Sequence, residues 1–335
     1  MEIRILNINL HKMRNSRLAR KLYLSLAMPT ALLMTGPSAF SSDKVPNILN
    51  QERHYTELNA QNLGDKQYSA ALPDASATQF KFKLKGYVFG LRMIKANYSG
   101  WFDNTRYTVY ADLQTSGLGA LLKKLEIWAV SSGMHNSNIG VRPDYHVQQN
   151  LDKKNRRVEM NYDGVQKHVD VNILPPLGSQ GIPAATPAER YSAHDTLSAI
   201  MAIMMQKKYN DGNICDAIVP VFDSKQHYNL RMERVGTRRV KFNGKKAQTI
   251  RCHTYYEPVS GFDPEDLPDD EETATPVNVY LHYQPELDLY IPVRFTYKIS
   301  AITAVIKITD IDIIPSADQP VVSEQSAIAL PGDTP

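Results

Sequence analysis

What this chain has little of limits what it can be. Among its 335 residues there are only two cysteines, too few for a multi-disulfide framework or an all-cysteine zinc site. They do not form a C-x-x-C, and no histidines stand in an H-x-x-x-H or H-E-x-x-H pattern, so neither a redox pair nor a metal-binding helix face is expected. No G-x-S-x-G elbow is present, which removes the usual seat of a hydrolase serine. The opening apolar run, Leu22 to Met34, falls short of the roughly 20 residues a spanning helix needs. Nor is there an excess of one charge. The formal net charge is +3, but the first 39 residues carry six of the 38 basic and one of the 35 acidic residues. The remaining 32 basic and 34 acidic residues give no electrostatic case for a nucleic-acid partner.

The basic start (Lys12, Arg14, Arg17, Arg20, Lys21), the short apolar run, and the small residues Ser38, Ala39, Ser41 and Ser42 together read as a secretory signal peptide over 1–39. Its cleavage is expected after Ala39 or Ser41, releasing a soluble periplasmic product. No cysteine lies near that zone, so a lipoprotein anchor has no attachment point. In an oxidising compartment, Cys215 and Cys252 read as one structural disulfide.

Residues 40–78 are polar and aperiodic, a flexible lead-in, and 315–335 read as a disordered tail. Between them, 79–314 form a single β-rich domain. Phe80 to Lys85 alternates strictly, apolar residues against lysine, as a strand with one wet face does. Gly86 to Met93 reads as its continuation, with a bend or bulge at Gly86 and Gly90. Val141 to Tyr145 reads as a strand end and turn. Asp163-Gly164 and Asn243-Gly244 are hairpin signals. The acidic stretch from Gly261 to Thr273 reads as a solvated loop.

The longest interruption of this β pattern is helical. Asp195 is a good N-cap. Leu197, Ile200, Met201 and Met204 then fall at helical spacing. Ala199, Ile203 and Met205 extend the apolar surface around most of the girth, so the helix belongs inside other elements. The spacing predicts a mainly β fold: a large curled antiparallel sheet or open β-barrel with one buried apolar helix, about 194–209, against its concave face.

Several short motifs carry a family resemblance. They are Gly86-Tyr87-Val88-Phe89-Gly90, the Asp195-Thr196-Leu197-Ser198-Ala199 helix start, and the Cys215 and Cys252 pair. Val221-Phe222-Asp223, Tyr228-Asn229-Leu230 and Pro292-Val293-Arg294-Phe295 complete the set. Together, over roughly 80–314, they resemble the secreted bacterial family called domain of unknown function 3108. That family has proline where this chain has Thr196. The resemblance implies a periplasmic β-rich protein and assigns no chemistry. A fold-level likeness to the half-barrel lipoprotein carriers of the envelope is analogy alone.

No catalytic, metal or cofactor residue is assigned. His194, Asp195 and Ser198 hold the letters of a triad, but Asp195 is better explained as a cap. His253 and His282 read first as surface or cross-strand packing residues, with a meeting across strands as the alternative. Asp223 suits an Asx-type turn. Leu197, Ile200, Met201 and Met204 are the candidate groove residues, and the stripe reads either as core or as the wall of a cleft. The functional expectation is a non-enzymatic protein of the cell envelope holding a lipid, a lipoprotein or a protein segment in a concave apolar groove. It is expected to be soluble, with a partner as the route of any membrane association. A hydrolase with an unrecognised site, and a structural interaction protein with no small ligand, are the alternatives.

Overall fold

The computed structural model describes residues 76–151, 155–210, 212–299 and 302–316. The leader at 1–39 and nearly all of the lead-in and tail lie outside the described residues.

The domain is mainly β, and its strands form one antiparallel sheet, curled but not closed. The first meander is β1 (Thr78–Val88), β2 (Leu91–Phe102), β3 (Arg106–Thr115), β4 (Glu126–Asn136), β5 (Gly140–Asn150), β6 (Arg157–Asp163) and β7 (His168–Leu174). The second is β8 (Asp216–Phe222), β9 (His227–Phe242), β10 (Lys245–Ser260), β11 (Val277–Gln284), β12 (Leu289–Ile299) and β13 (Ile302–Ile314). The order β7-β6-β5-β4-β3-β2-β1-β13-β12-β11-β10-β9-β8 puts the first and last strands side by side in the middle. The two edges, β7 and β8, are therefore joined by residues 175–215, which cross the open side of the curl. This crossing carries α2 (Pro187–Ser192), α3 (Thr196–Met204) and α4 (Gln206–Tyr209); α1 (Leu118–Leu122) and α5 (Asp270–Ala274) lie in loops.

Local chemistry explains where the elements begin and end. Val88 pairs with Leu91 across Phe89 and Gly90, whose φ values are 51° and 79°. The Gly86–Met93 stretch is thus two strands joined by a tight turn, not one strand, because Gly90 takes the left-handed region without steric cost. Asn243 and Gly244 turn the same way between Phe242 and Lys245. Asp163 pairs with His168, so the β6–β7 loop is longer than Asp-Gly alone; the Asp163 carboxylate accepts from the N–H groups of Val165 and Gln166. Val141–Tyr145 lies inside β5 rather than ending a strand. Pro143 is tolerated there because the ladder to β4 shifts register between Ser132 and Gly133. The acidic stretch is more ordered than a solvated loop. It contains a 3-10 turn, Pro264–Asp266, and α5, where Asp269 and Glu272 form a capping box with Glu272 buried. The predicted 194–209 helix is two pieces: the chain leaves helical geometry at Met205 (φ −88°, ψ 5°) and resumes in α4.

Cys215 and Cys252 are bonded, with Cα atoms 5.6 Å apart. The bond fixes the end of the crossing segment to β10, and Gln206 supports it by accepting from the Cys215 N–H at 2.7 Å. A loop of 37 residues gives about 4 kcal/mol in the chain-entropy treatment. Replacing both cysteines by serine is expected to cost about 2–5 kcal/mol in urea unfolding. A loss within the error of the unaltered protein would mean that the crossing segment is held without it.

Candidate functional site

Helix α3 is fixed to the sheet by a buried polar cluster at its start. Asp195, fully buried, accepts from the N–H groups of Leu197 (2.9 Å) and Ser198 (3.0 Å), the cap its position predicts. The same carboxylate accepts from Ser131 Oγ of β4 at 2.5 Å and from Ser198 Oγ, and His146 Nδ1 of β5 lies 3.1 Å away. Burial acts to raise the Asp195 carboxyl. The charge of His146 and the hydrogen bonds from His146, Ser131 and Ser198 outweigh that and hold it at about 2. Tyr107 of β3 donates to Ser198 Oγ at 2.8 Å, and Tyr98 of β2 donates to the Leu197 carbonyl at 3.2 Å. Burial, and then the nearby carboxylate, push both phenols well above their ordinary range, so they remain donors. Gly133 makes room: a Cβ there would stand 2.1 Å from the Arg142 carbonyl and 2.7 Å from Tyr107 Oη.

Serine, histidine and aspartate meet in this cluster, but not as a relay. Ser131 Oγ (2.7 Å) and Asp195 Oδ1 (3.1 Å) both face the same nitrogen of His146, Nδ1. A relay needs the nucleophile on one ring nitrogen and the carboxylate on the other. All three side chains are almost wholly buried, and the Asp195 lone pairs are taken by the helix start. The cluster is an anchor.

A second clasp sits at the seam between the sheet edges. His194 places Nε2 3.0 Å from the Val141 carbonyl of β5 and Nδ1 3.2 Å from the Pro220 carbonyl of β8. Its backbone forms a parallel bridge with Val221. Just before it, Ala185, Tyr191 and Ala193 pack with Val158, Met160 and Val169 of β6 and β7 and with Phe222 of β8. Helix α2 therefore plugs the gap that the ladder leaves open. The sequence reading passed over it, although Thr186-Pro187-Ala188-Glu189 is a capping box with proline at the first helical position.

Between α3 and the concave sheet lies an apolar cleft with about 1190 Å3 of non-protein space, part of it open to solvent. Phe82 and Leu84 of β1, Ala96 and Tyr98 of β2, and Ala111 and Leu113 of β3 line it, and the wall continues through Ile306 and Ile308 of β13, Phe295 of β12, and Val277 and Val279 of β11. Leu197, Ile200 and Ile203 of α3 complete the lining. Asn97 and Asp112 also touch it, but strand alternation puts them out of phase with Ala96, Tyr98, Ala111 and Leu113, and they hydrogen-bond each other at 2.9 and 3.1 Å. Thr254 also borders the cleft; it is 5% exposed, and its buried Oγ1 has no partner among the described residues. Such a surface suits an apolar chain bearing one hydrogen-bonding group.

Of the four candidate groove residues, Leu197 and Ile200 line the cleft. Met201 and Met204 do not; both are fully buried in the core with Met205. Ile203 stands at the cleft in their place. His253 and His282 do not meet: His253 stands opposite Asn278, while His282 bonds the Gln248 carbonyl and packs on Phe242. The β10–β11 register keeps them apart, since His282 lies four residues along β11 from Asn278. Asp223 does hold an Asx turn, accepting from the N–H groups of Lys225 and Gln226, and burial pushes its carboxyl up to about 6. Among the described residues, no cluster of three or more histidine, cysteine or acidic side chains is placed to hold a metal, and no helix is long and apolar enough to cross a membrane.

No protein-family profile matches the chain, and no curated protein matches it. The resemblance to the 3108 family therefore rests on the quoted motifs alone. Among solved structures, the chain is similar to a beta-barrel-like protein of domain of unknown function DUF1849 from Brucella abortus. The TM-score is 0.39 at 12% identity, covering 71% of this chain and 98% of that one.

Proposed function

We propose that this is a non-enzymatic protein of the cell envelope, exported to the periplasm, that holds the acyl chain of a lipid or lipoprotein in the cleft beneath α3. The observation that carries the proposal is the cleft wall. Leu84, Ala96, Ile200 and Phe295 remain partly exposed along an otherwise apolar surface, and apolar surface left without a protein partner is stabilised by an apolar ligand. Thr254 supplies one hydrogen bond for an ester or amide near the chain. The disulfide fits an oxidising compartment, as do the leader and the motif resemblance.

The test is native mass spectrometry, with lipid extraction, of protein purified from its own cells. A bound acyl species is expected. Ile200→Trp is expected to displace it, because the indole fills the cleft, while thermal melting stays close to that of the unaltered protein. Overpacking costs about 1–3 kcal/mol in a filled core, and this side chain borders open space. Protein that carries no lipid, or a tryptophan variant that retains it in full, would overturn the proposal.

A further inference from the structure

The β9–β10 hairpin is charged unlike the rest of the molecule. From 234 to 256 it holds seven basic residues, Arg234, Arg238, Arg239, Lys241, Lys245, Lys246 and Arg251, and no acidic one. Outside it, residues 40–335 hold 25 basic against 34 acidic residues. One element is thus strongly positive on an otherwise negative chain. Six of the seven are exposed and Arg251 is half-buried. None of the seven makes an ion pair among the described residues, whereas Arg231, just before them, is paired with Glu233 and Glu257.

The ladder shows why these charges stand clear. β8 pairs with β9 only as far as Glu233, and β11 pairs with β10 only from Ile250 onward. Between those limits the two strands pair only with each other. The change comes at a register shift between Arg251 and Cys252, opposite Gly236 at φ 123°, where a bulge adds twist. Beyond it the hairpin continues as a two-stranded arm that rests on the body along one face, where Val240 and Phe242 are buried and Phe242 packs on His282. At about 3.3 Å per residue it reaches roughly 25 Å.

We infer that this arm docks the protein on the surface of an anionic phospholipid bilayer. Its charges are spread along an extended ribbon rather than gathered around a pocket, so they match a continuous sheet of headgroup phosphates better than one bound anion. Its base supplies Leu230, Thr254 and Tyr256 to the cleft wall. One hairpin therefore carries both the charged surface and part of the acyl site. The choice of a bilayer rests on the lipid-holding reading of the cleft; the arm's charge and exposure do not.

The experiment is flotation of the protein, purified from its own cells, with vesicles of phosphatidylcholine alone or mixed with phosphatidylglycerol. Binding to the mixed vesicles only, and its loss at high salt, are expected. The triple variant R238Q/R239Q/K246Q should lower partition about a hundredfold, since each basic group contributes about fivefold. K81Q/K85Q/K95Q, which removes the same charge from the β1–β2 strands, should lower it far less. Arg238, Arg239, Lys246 and Lys95 are exposed and Lys81 and Lys85 half-buried, and a melting curve for each variant confirms that it is folded. Equal binding to neutral vesicles, an equal fall in both triple variants, or no fall in the first would overturn the inference. So would complete displacement of mixed vesicles by a single-stranded oligonucleotide at equal phosphate, which would make the arm a nucleic-acid surface. Flotation reads the arm without reference to cleft contents, and lipid extraction reads the cleft without vesicles, so the two proposals fail separately.

Discussion

Replacing Asp195 by alanine is expected to lower the unfolding free energy by about 3–5 kcal/mol, the usual cost of removing one partner from a buried charged pair. A lost helix cap alone accounts for about 1 kcal/mol of that. The rest arises because His146 and Ser131 stay buried without the oxygen they face. Asp195→Asn keeps an acceptor for the Leu197 and Ser198 N–H groups and should cost less. The pair also gives a pH signature. A carboxyl held at about 2 when folded and near 3.8 when unfolded contributes about 2 kcal/mol above the higher value, and that stability disappears as pH falls toward the lower. Asp223 acts in the opposite sense. Its folded value of about 6 gives stability that is full below the unfolded value and is lost as pH rises through 6. Urea unfolding at neutral pH and down to pH 2 reads both. The acid loss should be smaller in Asp195→Asn than in the unaltered protein. A neutral-pH cost for Asp195→Ala within the about 0.5 kcal/mol of an ordinary surface change would mean that the cluster does not hold the helix.

How much of this was legible depends on the range of the forces involved. Asp195 as a cap, the Asn243-Gly244 turn and the Asp223 turn rest on groups two or three residues apart, and the sequence states those directly. The curl and its enclosed helix follow from strand alternation and an apolar girth. Strand order was beyond reach, because nothing local says that β1 and β13 pair in the middle and leave β7 and β8 as edges. The anchor was hidden for the same reason: Ser131, His146 and Tyr107 lie 50 to 90 residues from the helix they hold, and each reads alone as an ordinary strand residue. The stripe on α3 shows a subtler limit. A helix apolar on most sides has no pattern that separates a core face from a cleft face, so Met201 and Met204 could not be told from Ile200 and Ile203. The charge of the arm, by contrast, was in the sequence throughout; a whole-chain balance near zero concealed it.

That division of α3 makes a paired prediction. Met201 is fully buried while Ile200, one residue earlier, borders the cleft and is partly exposed. Met201→Asp places an unpaired carboxylate in the hydrophobic core, at a cost of several kcal/mol. Against a total stability of about 5–15 kcal/mol, that is enough to leave little folded protein. Met204→Ala, also in the core, should cost about 2–5 kcal/mol by lost contacts and a residual cavity. Ile200→Ala enlarges a space that already exists, so it gives up less packing, and its main effect should fall on retained lipid. Thermal melting with extraction of co-purified lipid separates these outcomes. If Met201→Asp melts as the unaltered protein does, the methionine face is not core. If Ile200→Ala destabilises as much as Met204→Ala without changing the lipid, the cleft is packing space and not a binding site.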